Sequence, residues 1–332
     1  MARARVTLAD IAARVGVSPK TVSNVVNGTG WVGAEVREKV LVAIDELGYR
    51  PNLAARQLRK GSSGVLALAL PSLAEPYFAE LAAVFVDAAH DRNLTVLVSQ
   101  TRGQRDREIE ALDGIRLPAI DGLIMSPLGL EAEDVAERRR DFSLVLVGEH
   151  GERIAAGREH HVGIDNVAAA AAATAELIAK GCRRIATIGV QDEGAAETSR
   201  DRFAGYALAL REAGLTLDES LMGHVRTFNR AEGSRAAQHL IDSGAEFDGL
   251  LCFNDTLAIG ALYALAVRGL RVPDEVRVMG FDDIADGRFS TPAFSTIAPG
   301  REAIANRVLD IIAAPDATEP GHHEVPFALV IR

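Results

Sequence analysis

Five polar side chains on one short segment, Lys20, Thr21, Ser23, Asn24 and Asn27, carry the most specific chemistry in the chain. Lysine matches the acceptor edge of guanine and asparagine can pair bidentately with adenine, whereas the hydroxyls of Thr21 and Ser23 suit phosphate oxygens. Val22, Val25 and Val26 recur at i, i+3 and i+4, so the segment is expected to be a helix with one buried stripe and the five polar groups facing outward. Ser18 should cap it, and Pro19 occupies the first position, where its missing N–H costs nothing.

Two further helices must hold that one in place. Thr7 with Asp10 three residues on reads as a capping box, followed by Leu8, Ile11, Ala12 and Val15 at helical spacing and a stop at Gly16. A third helix carries Val36, Val40, Ala43, Ile44 and Leu47 on one side and ends at Gly48. Small Ala12 lets the first two helices approach, Gly16 makes the turn and Val22 locks the pair, which are the requirements of a helix-turn-helix whose second helix enters the major groove. A plain three-helix bundle with a solvated polar face would show the same periodicity.

Charge separates the two readings. The chain of 332 residues has a net charge of -10, an unfavourable balance for binding nucleic acid. Residues 1–60, however, hold ten of the 36 Lys/Arg against five of the 46 acids, a balance of +5, which leaves -15 on the remainder. A basic head on an acidic body neutralises phosphates at one end only.

Other chemistries find little support. Gly28-Thr29-Gly30-Trp31-Val32-Gly33 spells GxGxxG but follows a helix, with no strand before it, so a dinucleotide site lacks its context. His160-His161 and His322-His323 are adjacent pairs in loop-like stretches without metal-ligand spacing, and solvated loop histidines are expected there. Cys182 and Cys252 show no CxxC spacing and read as packed thiols. No GxSxG elbow appears, so neither an enzyme nor a resident cofactor or metal is expected. No apolar run approaches membrane-spanning length and the N-terminus lacks a secretory core, which points to a cytoplasmic protein that touches no membrane.

From Gly64 the sequence alternates between strand and helix. Apolar runs at Val65–Leu70, Leu94–Ser99, Gly122–Met125, Leu144–Val147, Arg184–Gly189, Gly249–Phe253 and Val276–Phe281 are separated by helical stretches such as Phe78–Asp91, Gln104–Ile115, Val167–Ala179, Arg202–Ala213, Ala231–Ser243 and Thr256–Arg268. Continuously apolar strands joined by crossover helices predict parallel sheets covered on both faces, here as two similar subdomains.

The run from Val6 to Gly28 (VTLADIAARVGVSPKTVSNVVNG), then Arg37-Glu38-Lys39-Val40 and Glu46-Leu47-Gly48-Tyr49-Arg50-Pro51-Asn52, resembles the lactose-repressor (LacI/GalR) family of bacterial regulators, and the likeness continues almost to the C-terminus. It implies an all-α helix-turn-helix domain at 1–50, a hinge helix at 51–61, and an α/β periplasmic-binding-protein type I domain at 62–332 made of two doubly wound parallel-sheet subdomains, about 62–164 with 297–322 and about 165–296 with 323–332. The resemblance makes the chain a transcriptional regulator, most often a repressor in that family, working as a homodimer on double-stranded operator DNA. DNA contacts would fall at Thr7, Ser18, Lys20, Thr21, Ser23, Asn24 and Asn27, with Asn52, Ala55 and Leu58 in the hinge. Leu58 matches the leucine that wedges into the minor groove, and so short a hinge segment needs a partner to form a helix.

A small-molecule effector, with a sugar as the leading candidate, is implied in the cleft between subdomains. The matching positions are Tyr77 and Phe78 in Pro76-Tyr77-Phe78, Arg202 before Phe203-Ala204-Gly205-Tyr206, Phe228, Asn254 in Phe253-Asn254-Asp255, and Asp282 in Gly280-Phe281-Asp282-Asp283. Glu149 falls within a residue of a further polar contact. Asn24 departs from the arginine common in the family, which puts the base read there in question, and Gly33 replaces a capping serine. A transporter's sugar-binding protein would share the body but needs an export signal instead of a basic helix-turn-helix. The end at Arg332, without heptads, favours a dimer over a coiled-coil tetramer.

Overall fold

A computed structural model describes residues 6–49, 62–115, 119–139, 142–155, 158–192 and 197–332. They fall into two compact units divided after Ser63. Asn52, Ala55 and Leu58, and the hinge expected at 51–61, lie outside the described residues.

The described residues of the first unit form three helices, α1 (Leu8–Val15), α2 (Pro19–Asn27) and α3 (Ala34–Leu47). Thr7 and Asp10 close the expected capping box: the Asp10 carboxylate accepts from the Thr7 N–H at 2.8 Å while the Thr7 hydroxyl accepts from the Asp10 N–H at 3.3 Å. Gly16 ends α1 at φ +78, a left-handed turn that glycine adopts without strain. Ser18 then caps α2, its hydroxyl accepting from the Thr21 N–H at 3.1 Å. Ile11, Ala12, Val22, Val25, Val40 and Ala43 form the buried core, drawn from the predicted stripes of all three helices. Gly33 caps α3 with no side-chain bond.

The second unit contains β1 (Val65–Leu70), α4 (Pro76–Asp91), β2 (Thr95–Gln100), α5 (Arg105–Leu112), β3 (Gly122–Met125), α6 (Ala132–Ala136), β4 (Ser143–Val147), α7 (Glu149–Ala155) and β5 (His160–Gly163). It continues with α8 (Asn166–Ala179), β6 (Ile185–Val190), α9 (Glu197–Glu212), β7 (Met222–His224), α10 (Arg230–Asp242), β8 (Gly249–Cys252), α11 (Asp255–Val267), β9 (Arg277–Phe281) and α12 (Ala285–Phe289). The remaining elements are β10 (Ser295–Ala298), α13 (Arg301–Ala313), β11 (Gly321–Glu324) and β12 (Ala328–Val330).

Two six-stranded sheets result, in the orders β11-β5-β4-β3-β1-β2 and β12-β10-β9-β8-β6-β7. Every pairing is parallel except β12 against β10. In each sheet the strand order turns back on itself beside the first strand, a switch point that leaves a crevice at the strands' carboxyl ends. The chain crosses between the sheets after β5, after β10 and after β11. The last two crossings lie slightly beyond the boundaries expected at 296/297 and 322/323, because β10 stays paired with β12 through Ala298 and β11 stays paired with β5 through Glu324.

The histidine pairs correct the sequence reading. His160 and His161 stand on β5, both buried, and His322 and His323 stand on the neighbouring β11, where His322 is in register with His161 and the His323 ring reaches His160 at 3.0 Å. None of the four lies in a loop, and of the four only His322 is exposed. A four-residue strand of His-His-Val-Gly carries no alternating apolar signal, and only pairing with β4 and β11 gives it its place. Cys182 and Cys252 are buried, and burial raises both thiols, Cys182 to about 11.

Candidate functional site

In the first unit, α2 presents an exposed amino-terminal half. Lys20 is exposed, Thr21, Ser23 and Asn24 are half-buried, and α2 has no acidic residue in its first turn. The unsatisfied N–H groups and positive dipole end of the helix therefore face solvent beside a lysine, an arrangement that attracts phosphate. Ser18 and Thr21 share a 2.9 Å hydroxyl pair that fixes both side chains in this turn. Asn24 lies against Gly30, where a Cβ would stand 2.8 Å from the Asn24 amide nitrogen. Gly30 therefore makes room for the Asn24 side chain, and this glycine belongs to the GxGxxG string that resembled a nucleotide loop. Thr7 is committed to the α1 capping box, and Asn27 is the last residue of α2.

The second unit holds a cavity of about 740 Å³ at the carboxyl ends of the strands. Tyr77, Phe78, Arg202, Phe228, Asn254 and Asp282, six of the expected ligand residues, all line it. Tyr77 and Phe78 open α4 just beyond β1 and meet edge to face at 5.3 Å. Asn254 follows β8 and caps α11, its side-chain oxygen accepting from the Leu257 N–H at 2.8 Å, so its amide NH2 is the end suited to a ligand.

Arg202, almost fully buried, is the best-anchored group on the wall. Its Nε donates to Asn166 Oδ1 at 2.8 Å, Nη1 donates to the Phe253 carbonyl, and the guanidinium lies 3.7 Å over the Phe281 ring. Asp282 stands 3.9 Å from it, with backbone φ +108. A non-glycine residue in that region is strained, and surrounding bonds hold it there: Arg301 donates to the carbonyls of Asp282 at 2.5 Å and Asp283 at 3.1 Å.

His150 is on the cavity wall, directly after Glu149, whose side chain lies outside what the structure describes. The chain turns at Gly148 with φ +80, and α7 then carries the buried His150 imidazole inward, its Nε2 2.8 Å from the Leu130 carbonyl. Its other nitrogen reaches Glu197 at 3.0 Å, across the cleft on α9. Arg153 also binds Glu197, at 2.8 Å. Burial acts to raise the Glu197 carboxyl, but the His150 bond, its backbone bond and the Arg153 charge outweigh it and hold it below the usual carboxylate range. A second bridge runs from Glu80 on α4, which accepts from the Ala285 N–H at 2.9 Å and pairs with Arg301 at 3.1 Å.

Glu75 is the residue that sequence reasoning most clearly missed. It lines the cavity, and its Oε2 is buried without a hydrogen-bond partner. Burial raises its pKa, with the Arg230 charge and the Thr256 hydroxyl acting against it. Its place directly before Pro76-Tyr77-Phe78, in the loop that leads from β1 into α4, was the available signal. Glu197 had none, since it meets His150 only through the packing of two subdomains.

Residues 7–52 match the family described as bacterial regulatory proteins, lacI family, and residues 174–332 match a periplasmic binding protein-like domain. The chain is 34% identical over 297 residues to the HTH-type transcriptional regulator AscG of Escherichia coli (strain K12), covering 88% of this chain and 86% of that protein. Among solved structures, the lac repressor dimer bound to operator and the anti-inducer ONPF superimposes with TM-score 0.84 at 25% identity, over 99% of this chain and 98% of the other. The complex of transcriptional regulator CelR with cellobiose gives TM-score 0.68 at 28% identity, over 99% of each chain.

Proposed function

This chain belongs to the lacI family of bacterial regulatory proteins and is a DNA-binding transcriptional regulator, and from that premise we propose that a sugar held in its cleft sets its affinity for operator DNA. Glu75 carries the proposal. A buried carboxylate oxygen with no partner costs free energy unless a ligand donor reaches it, and sugar hydroxyls are such donors. Tyr77, Phe78 and Phe228 supply faces for the apolar side of a pyranose ring, while Arg202, Asn254 and Asp282 add fixed polar contacts. The cellobiose bound to CelR supports the same ligand class here.

In this reading two copies of the chain act together, as the lac repressor does in its operator complex, and each copy's α2 reads one half-site. Lys20 and Asn24 face bases, and Thr21 and Ser23 face phosphates, with Leu58 as the minor-groove wedge that the resemblance assigns. Among the described residues no helix is long and apolar enough to cross a membrane, in keeping with a regulator that works in the cytoplasm. Sugar binding changes how the two sheets close on one another, and closure biases the hinge between body and head. By linkage, operator DNA must shift sugar affinity by the same factor as sugar shifts operator affinity.

The test is thermal unfolding of the full chain against a panel of mono- and disaccharides, nucleobases and amino acids. A ligand at a hundred times its Kd stabilises by about 2.7 kcal/mol, enough for a clear rise in melting temperature. A sugar that shifts the wild type but not Glu75→Gln supports the proposal. A shift by nucleobases or amino acids with none by sugars overturns it.

A further inference from the structure

We propose that Glu152, His161 and His322 form a binding site for one divalent transition-metal ion such as Zn(II), on the edge of the first sheet and apart from the sugar cleft. One ligand atom from each of the three side chains lies within 4.8 Å of the other two. Two imidazoles and a carboxylate are a donor set that suits a borderline ion, with a fourth position left to solvent.

The surroundings of His161 are those of an oriented metal ligand. Its ring is 2% exposed, and Nε2 lies 2.7 Å from the Gly148 carbonyl, so Nε2 carries the proton and Nδ1 turns toward His322. Two glycines shape the slot that holds the ring. A Cβ at Gly151 would stand 3.2 Å from its Cδ2, and a Cβ at Gly163 would stand 2.9 Å from its Cε1. Register on β5 and β11 sets His322 directly opposite, with the two Nδ1 atoms 2.7 Å apart.

The two rings are nearly parallel, 21° between planes and 4.9 Å between centroids. With centroids 4.9 Å apart and the facing nitrogens 2.7 Å apart, the rings meet edge to edge, and the His322 Nδ1–H donates in plane to the unprotonated His161 Nδ1. A metal ion would take the place of that shared proton, within reach of the Glu152 carboxylate, whose ligand atom lies within 4.8 Å of one ring nitrogen of each histidine. Tetrahedral coordination separates two nitrogen ligands by about 3.3 Å, a spread of roughly half an ångström that the exposed His322 can supply on its edge strand.

Position gives the site a consequence. Glu152 lies on α7 between His150, which lines the cleft, and Arg153, which grips Glu197 across it. His322 lies on β11, just before the third crossing between sheets. A bound ion ties these two elements together and resists their separation.

The test uses tag-free full-length protein stripped with chelator and then titrated with Co(II), whose visible absorption reports its ligands, and with Zn(II) in competition. One equivalent should bind at micromolar metal and raise the melting temperature. His322→Ala and Glu152→Gln, both on exposed faces, should each weaken binding at least tenfold, and Glu152→Gln should leave the metal-free melting temperature unchanged. His323→Ala should leave binding intact. The proposal fails if no equivalent binds at micromolar metal, if His322→Ala and Glu152→Gln bind as the wild type does, or if affinity follows His323 instead.

Discussion

Glu197 on α9 reaches across the cleft to His150 on α7, with Oε2 3.0 Å from Nδ1. Arg153 holds the other carboxylate oxygen at 2.8 Å, so one acidic side chain from the second sheet is gripped twice by the first. Opening the cleft must break both bonds. Glu197→Gln keeps the shape and removes the charge, which should shift the ligand-free protein toward open forms and weaken ligand binding by roughly three- to tenfold, the scale of a partly exposed ion pair of about 1 kcal/mol. Small-angle scattering of the free protein and a ligand titration check this. Unchanged scattering together with unchanged affinity would remove the clamp role.

Arg202 leads to a sharper loss. Its bonds to Asn166 and the Phe253 carbonyl and its stacking on Phe281 use the planar fork of a guanidinium, which the point charge of an ammonium cannot reproduce. Arg202→Lys should destabilise the body by about 2–4 kcal/mol through unsatisfied buried groups and abolish the response to ligand, while non-specific DNA binding by the head persists. Denaturant unfolding, run beside DNA retention at low salt, separates these effects. A variant with wild-type stability would mean that Arg202 is not the anchor its bonds indicate.

The difference between these two residues shows what the sequence could and could not disclose. Arg202, Asn254 and Asp282 follow recognisable strings at the ends of strands or the start of a helix, and the strands themselves were legible because buried parallel strands are continuously apolar. The helix caps were legible because Thr7, Ser18 and the glycines each do a local job. His150 and Glu197 find each other only when two subdomains pack, 47 residues apart. The strands β5 and β11 were read as loops for a related reason: four residues with no alternating apolar pattern become a strand only because neighbouring strands pair with them, 161 residues apart at His161 and His322.

Asp255 makes stability depend on pH. It is fully buried at the start of α11, with Oδ1 accepting from the Thr296 hydroxyl at 2.7 Å and Oδ2 from the Ile284 N–H at 2.9 Å. Burial outweighs those bonds and raises its carboxyl from 3.8 to about 7. A carboxyl that holds its proton more tightly when folded favours the fold below its unfolded value, and that contribution is lost as pH rises from 3.8 to about 7. The loss runs at up to about 1.4 kcal/mol per pH unit. Asp255→Asn cannot titrate, so the stability of the wild type should fall relative to this variant across that window and run parallel to it above. Urea unfolding across the window measures the difference; parallel curves throughout would show that Asp255 is ionised in the fold.

In the proposed reading, Asn24 sets the base preferred at one position of each half-site. Its amide is half-buried against Gly30, whose φ of +70 suits glycine and whose missing Cβ leaves the space the amide occupies. An asparagine so placed presents both an acceptor and a donor, the pattern that matches adenine in the major groove, whereas Lys20 presents donors alone and matches guanine. Asn24→Ala should therefore flatten the preference at one position of each half-site, at a cost of about 1–3 kcal/mol there, and leave the position read by Lys20 unchanged. Lys20→Ala should flatten a different position. Asn24→Arg should move the preference toward guanine, since a guanidinium forks onto its two acceptors. Selection of binding sites from random DNA by the wild type and the three variants reads all of this out. A wild-type preference for guanine at the position that Asn24→Ala flattens would mean that Asn24 contacts the groove by a different edge.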